Sequence, residues 1–263
     1  MNFVVLVKQV PDTDEVKMDH ERGVMIRDGV GSIVNPLDLN ALEAAMRIRG
    51  DGDTVTVVSM GPPKAEESLR ECLALGADRA VLATDAAFAG SDSWVTSGVL
   101  AAVINKIGIP DLIIAGEKAT DGETGQVGPE VAALLGRPVA TRVTKLTKLP
   151  DGVEVTCTLE EGILIQRFDT PCLVTVLSDI NTLPLPTLSG KKRAYSLGVE
   201  TLSARDLGIG GDEAGLAASP TRVVRIDTPK FARDTEKFLA KRADELDAGL
   251  DRVIEILADA AVL

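Results

Sequence analysis

The sequence predicts an α/β fold built on a parallel sheet, and three observations carry that expectation. Short β-branched runs alternate with longer helical patterns through the first half of the chain, which is how βα units read. At 263 residues with 45% hydrophobic content, one large domain can fill a sizeable core. After Pro138 the texture changes to short strand-like runs separated by turns, which predicts an antiparallel extension of the same sheet.

Taken in order, Phe3–Val10 reads as the first strand. Asn35-Pro36-Leu37-Asp38 supplies capping and helix-start residues for a helix over Leu39–Arg49. Thr54–Ser59 is the second strand, and Pro63–Leu75 a helix stopped at Gly76. Ala80–Thr84 is the third strand, followed by a helix over Ser93–Ile107 with Asp92 as its cap. Asp111–Ala115 is the fourth, leading through a loop to a helix from Thr124 to Leu135. Thr141–Leu149, Val153–Leu159, Ile163–Phe168 and Cys172–Val176 are the later strands, with turns at Pro150-Asp151-Gly152 and Glu160-Glu161-Gly162. Residues 177–228 are rich in Pro, Gly and polar residues and read as an extended arm bearing a basic patch, Lys191-Lys192-Arg193. From Thr235 to Val262 an amphipathic helix is expected, with Phe238, Leu239, Leu246, Leu250, Val253, Ile254 and Leu257 near helical spacing.

Composition excludes several functions. A formal charge of −12 and 3% aromatics disfavour nucleic acid, which needs clustered cations and stacking platforms. A single nucleotide is still allowed, because backbone N–H groups hold phosphates without net positive charge. Cys72, Cys157 and Cys172 lie far apart with no CxxC pattern, so disulfide frameworks and zinc ribbons are poor readings. Cys72 is expected to be a small buried hydrophobe. The lone His20, in the polar stretch Asp19-His20-Glu21-Arg22-Gly23, reads as an exposed turn and leaves no imidazole for a catalytic triad. Glu160 and Glu161 read as a solvated turn rather than an acid pair. No apolar run approaches the roughly 20 residues of a membrane span, and the N-terminal apolar run is too short for a signal sequence. A reducing cytoplasm is the expected setting.

With no acid, base and nucleophile set in view, the chain is expected to bind, or to take its chemistry from a cofactor. Ligands of open parallel sheets sit beyond the carboxyl ends of the strands. Three such exits are suited to a nucleotide. At Leu6-Val7-Lys8-Gln9-Val10-Pro11 backbone groups can pair with an adenine. At Ser59-Met60-Gly61-Pro62 a small turn admits a ligand, and Met60 can pad a ring. The third runs Gly116-Glu117-Lys118-Ala119-Thr120-Asp121-Gly122-Glu123-Thr124-Gly125-Gln126-Val127-Gly128-Pro129. Here glycines permit tight curvature, Thr124 is the expected helix cap, and the first helical N–H groups face an anion. Asp121 suits ribose hydroxyls or the ordering of the loop. The loop is neither GxGxxG after a strand nor GxxxxGK[ST], so the common dinucleotide and Walker-type readings are weak.

These exits, together with Asn35-Pro36-Leu37-Asp38, Leu75-Gly76-Ala77-Asp78, Pro171-Cys172-Leu173-Val174-Thr175 and Thr187-Leu188-Ser189-Gly190-Lys191-Lys192, resemble electron-transfer flavoprotein β subunits in sequence and order. The resemblance covers roughly residues 1–195. It implies an adenine-nucleotide-binding, Rossmann-like α/β fold with an antiparallel extension, a long arm and a C-terminal helix. The corresponding partition is a nucleotide- or flavin-binding domain over 1–180 and a partner-docking arm and helix over 181–263. It also implies an obligate pairing with an α subunit that carries FAD, and a docking role for Leu188 and Lys191 toward an acyl-CoA-type or other dehydrogenase. The β pocket of the family holds structural AMP or, in electron-bifurcating members, a second FAD. The run Asp121-Gly122-Glu123-Thr124-Gly125-Gln126 resembles the FAD-holding type, in which a missing acidic side chain leaves room for a diphosphate. Phe88-Ala89-Gly90-Ser91-Asp92-Ser93-Trp94-Val95-Thr96-Ser97 resembles the stretch beside that flavin, with Asp92, Thr96 and Ser97 as hydrogen-bonding candidates. NAD is then the expected hydride donor. Glu117-Lys118, Cys157 and Trp94 depart from the family's usual residues. The remaining alternatives are an AMP-holding β subunit and a stand-alone nucleotide-binding regulatory module.

Overall fold

The computed structural model describes residues 1–12, 17–19, 24–26, 31–224, 237 and 239–259. In chain order the strands are β1 (Asn2–Leu6), β2 (Gln9–Pro11), β3 (Lys17–Asp19), β4 (Val24–Ile26), β5 (Ser32–Val34), β6 (Thr54–Met60), β7 (Arg79–Ala83), β8 (Leu112–Gly116), β9 (Val139–Lys148), β10 (Gly152–Leu159), β11 (Gly162–Asp169), β12 (Cys172–Val176) and β13 (Val199–Leu202). The helices are α1 (Pro36–Ile48), α2 (Glu66–Leu75), α3 (Ser93–Ile107), α4 (Val127–Leu134), α5 (Leu188–Ser196), α6 (Ala204–Leu207), α7 (Gly215–Ala218) and α8 (Ala243–Asp259).

Nine strands form one sheet in the order β11-β10-β9-β12-β8-β1-β6-β7-β13. All pairings from β9 to β13 along that order are parallel, and β9-β10-β11 is the antiparallel extension. The chain builds outward from β1 to β6 and β7 on one side, then crosses to β8 on the other. The strand order therefore reverses between β1 and β8, which is where an open α/β sheet offers its crevice.

The central strands are buried on both faces, so they read as continuous apolar runs rather than alternating ones. Phe3, Val5, Val57, Leu82 and Ile114 face one core with Leu42, Leu69, Cys72 and Leu73 of α1 and α2. Val4, Leu6, Val58, Val81 and Ile113 face the other, with Val99, Val103 and Ile104 of α3 and Val131 of α4. Local signals set the helix limits. Pro36 stands in the first turn of α1, Asp92 caps α3 by accepting the Val95 N–H at 3.1 Å, and Gly76 (φ +129°) ends α2.

Several expectations are corrected. The first strand ends at Leu6 rather than Val10, because the Lys8 N–H donates to the Asp38 side chain instead of a neighbouring strand, and Val10 pairs with Ile33 in a separate ribbon. The last helix of the first half begins at Val127, not Thr124, and Gln126 occupies its cap position without a side-chain hydrogen bond. Residues 177–224 are not an extended arm. Within them α5 packs on α2, and β13 joins the main sheet beside β7. The compact unit accordingly runs from Met1 to Val224 instead of ending at 180, and Arg225–Leu263 forms a second unit. In that second unit α8 presents Leu246, Leu250, Val253 and Ile254 to solvent. Thr235, Phe238 and Val262 of the expected helix, like His20, lie outside the described residues. No described helix is long and apolar enough to cross a membrane.

The expected basic patch also divides. Lys191 and Lys192 are exposed, but Arg193 turns inward and donates from Nη2 to the carbonyls of Leu73 (2.6 Å) and Ala77 (3.1 Å), closing the end of α2. Gly190 permits that approach, since a Cβ there would stand 2.2 Å from the Ala74 oxygen. Arg193→Ala is expected to cost about 1.5–3 kcal/mol, the worth of charge-assisted hydrogen bonds to carbonyls at the end of α2, read as a lowered urea midpoint. A midpoint equal to that of the unmodified chain would show that the Arg193 hydrogen bonds contribute nothing to holding α2.

Candidate functional site

A cavity of about 1180 Å³ opens at the carboxyl ends of β1, β6, β7 and β8, over the point where the strand order reverses. Of the residues expected from the sequence, Leu6, Val7, Lys8, Asp38, Met60, Gly61, Asp92, Thr96, Gly116, Lys118, Ala119, Gly122, Thr124, Gly125, Gln126, Val127 and Gly128 line it. Asn35, Ser59, Ser97, Thr120 and Asp121 do not, nor do Leu188 and Lys191 of α5. Leu188 is 85% exposed, on a helix packed against α2.

The non-lining residues near the cavity hold its walls. Asn35 is fully buried; its Nδ2 donates to the Lys118 carbonyl at 3.0 Å, and its Oδ1 accepts the Thr120 N–H at 3.2 Å. One amide side chain thus pins the loop that follows β8 to the start of α1. Asp121 orders the same loop from the other side through an ion pair with Lys8, Nζ to Oδ1 at 2.7 Å. Lys118 pairs with Glu123 at 3.2 Å. Ser97 is buried between α3 and α4, donating to the Glu130 carboxylate at 2.8 Å, so it ties the helices together behind the wall. Ser59 is buried inside β6. Thr124 lines the cavity without capping a helix.

Asp38 is the residue on which both strand exits close. Its Oδ2 accepts the Lys8 N–H at 2.8 Å and its Oδ1 accepts the Gly116 N–H at 3.2 Å, joining the ends of β1 and β8. Gly116 has no alternative there, because a Cβ would fall 2.4 Å from Asp38 Oδ1 and 2.8 Å from the Leu37 backbone. Burial pushes the Asp38 carboxyl up to about 7, against hydrogen bonds from Asn35, Lys8 and Gly116 that favour the charged form.

On the far wall α3 and α4 both begin at the cavity. Asp92 lines it while capping α3, and Ser93 bridges from its hydroxyl to Gln126 Oε1 at 3.0 Å. Gly125 takes the left-handed conformation (φ +64°) that turns the chain into α4. Gly128 lets the first turn of α4 press on β12, where a Cβ would stand 2.6 Å from Thr175 Cγ2.

Part of the lining carries little signal in the sequence. Thr84, Asp85 and Ala86 follow β7, an exit that in sequence shows only the end of a strand and one acid. Asp85 accepts the N–H groups of Ala87 (3.0 Å) and Ala204 (3.1 Å), and these hydrogen bonds hold its carboxyl below the usual range. Thr221 also lines the cavity, 93 positions beyond Gly128, the nearest lining residue in the chain, and carries no local signal at all.

The raised pKa of Asp38 fixes a sign for pH dependence. The folded chain keeps the proton up to about pH 7, whereas an unfolded Asp loses it near 4. Between those values the folded state binds more protons, so this residue's contribution to stability falls as pH rises. Asp38→Asn is expected to flatten that fall between about pH 4 and pH 7, measured as urea midpoints of the two proteins across the range. Parallel curves for both proteins would mean that Asp38 does not titrate there.

Comparison with known proteins agrees with this architecture. Residues 22–207 match the family described as the electron transfer flavoprotein domain. The chain is 46% identical over 240 residues to an electron transfer flavoprotein subunit beta of Thermoanaerobacterium thermosaccharolyticum, covering 90% of this chain and 92% of that one. It is 42% identical over 252 residues to the caffeyl-CoA reductase-Etf complex subunit CarD of Acetobacterium woodii, covering 95% and 96%. It is 40% identical over 238 residues to protein FixA of Azorhizobium caulinodans, covering 87% and 85%. With the sheet, its switch point and most of the chain in agreement, this protein belongs to the electron-transfer flavoprotein family, among its β subunits.

Proposed function

We propose that the cavity at the switch point holds FAD, and that this subunit serves flavin-based electron bifurcation in a heterodimer with an α subunit. β subunits of this family transfer electrons in partnership with an α subunit. On this reading the α subunit carries its own FAD and the complex works in the cytoplasm with an acyl-CoA-type or other dehydrogenase.

The observation that carries the reading is the convergence of α3 and α4 with the loop after β8 on one cavity. The uncapped start of α4 and the glycine backbone offer N–H groups to a diphosphate, which suits a chain whose lining lysines are few and engaged with carboxylates. Lys8, Lys118, Ala119, Gly122, Gly125, Gln126, Val127 and Gly128 form that side, with Thr120 behind them. Leu6, Val7, Asn35, Asp38, Ser59, Met60 and Gly61 form or back the floor, and Asp92, Thr96 and Ser97 the far wall. The volume exceeds the roughly 300–1,000 Å³ of ordinary small-molecule sites, which favours FAD over AMP. A bound flavin would accept a hydride from NAD in its reduced form and pass the electrons on singly. The protein's part is to place the flavin and set its surroundings.

Nucleotide content of the heterodimer tests this directly. Two FAD per heterodimer are expected when ligands are released and separated; one FAD with one AMP would replace the bifurcating reading by a structural one. Docking is tested apart from the cavity. The exposed Leu188 and Lys191 belong to the proposed dehydrogenase contact, and Leu188→Ala is expected to weaken docking about tenfold with nucleotide content unchanged. Equal affinity for the dehydrogenase would take α5 out of the contact. The exposed apolar stripe of α8 is assigned to the same partner-facing role, with the α subunit as its expected cover.

A further inference from the structure

The loop that carries Ala86 to Asp92 forms one wall of the cavity, and it is held from outside by residues 214–221. This outer segment lies against the loop along its length. The Leu216 N–H donates to the Ala89 carbonyl at 3.2 Å, and the Gly215 N–H to Ser91 Oγ at 3.2 Å. The Asp92 N–H donates to Ser219 Oγ at 2.9 Å. Thr221 then closes the contact, donating to Asp92 Oδ2 from both its N–H (2.9 Å) and its hydroxyl (2.8 Å). Asp92 therefore caps α3 with one oxygen and grips the segment with the other.

Two glycines make the fit possible. Gly215 adopts φ +67°, and a Cβ there would stand 2.5 Å from the Ala87 carbonyl oxygen and 2.9 Å from that of Ala89. Gly90 adopts φ +76°, with its Cβ position 3.1 Å from Leu216 Cβ. Thr221 reaches past the loop to line the cavity itself. The segment is thus both a brace for the wall and a part of the lining.

We propose that residues 214–221 are a strap that retains the nucleotide: its clasp on Asp92 keeps the 86–92 wall closed over the ligand. The proposal rests on the cavity holding a nucleotide, as argued above. Ligand and strap then stabilise each other, because any contact the nucleotide makes with the closed wall favours the clasped state, and the coupling is reciprocal.

The test uses the full chain in its heterodimer, stripped of nucleotide and reloaded with AMP or FAD as separate probes. Hydrogen exchange of amides 215–221 is followed with and without each probe, and labelled AMP is chased with unlabelled AMP to give its release rate. Thr221→Val keeps the backbone hydrogen bond but removes the hydroxyl, and Gly215→Ala forces the strap off the loop. Nucleotide is expected to slow strap exchange about tenfold in the unmodified protein. Thr221→Val is expected to release AMP about tenfold faster, and Gly215→Ala faster still, with α-subunit association unchanged. Strap exchange that ignores bound nucleotide, or release from both variants at the unmodified rate, overturns the strap while leaving the cavity reading intact. A heterodimer that takes up neither probe in this subunit overturns the cavity reading and the strap with it.

Discussion

The buried carboxyl of Asp38 is the interaction on which the rest of this site depends. Parallel strands that diverge at a switch point leave backbone N–H groups at their ends with no neighbouring strand to accept them. Here two of those groups, from Lys8 and Gly116, find their acceptor in one side chain at the first turn of α1. Asn35, three residues earlier, does the same for the loop beyond Gly116. The crevice is therefore held open from below by two polar side chains on one short stretch, and not by the loops that line the cavity.

On the proposed reading, electrostatics explain how an acidic chain would present a nucleotide site. The lysines near the cavity are engaged, Lys8 with Asp121 and Lys118 with Glu123, so they order the loop after β8. Favourable potential for an anion comes from the start of α4, which carries no side-chain cap, and from backbone freed by glycine, whereas the start of α3 is already met by the Asp92 carboxylate. Such a site needs no surplus of cations, and a net charge of −12 is no obstacle to it.

The same economy of polar contacts binds the later part of the chain to the sheet. Arg193 satisfies carbonyls at the end of α2, Asp85 receives the start of α6, and Asp92 receives Thr221. Each contact joins residues more than a hundred positions apart. In sequence these appear only as one arginine in a basic run and two acids after apolar segments. A segment poor in periodicity was accordingly read as an extended arm, although it closes the edge of the sheet with β13 and walls the cavity with Thr221.

The sequence by itself determined the βα alternation, the central strands and the antiparallel extension, the helix starts marked by Pro36 and Asp92, and three of the four exits that meet at the cavity. Those features are local: hydrophobic period, capping residues and glycine at turns all act within a few positions of one another. Only the tertiary structure decided that Asp38 joins two strand ends, that Asp121 and Ser97 stand behind the wall, and that residues 181–224 belong to the first unit. These outcomes follow from which strands become neighbours and which buried polar groups then need partners. Nothing in a single segment records that choice, because the partner is supplied by a distant part of the chain.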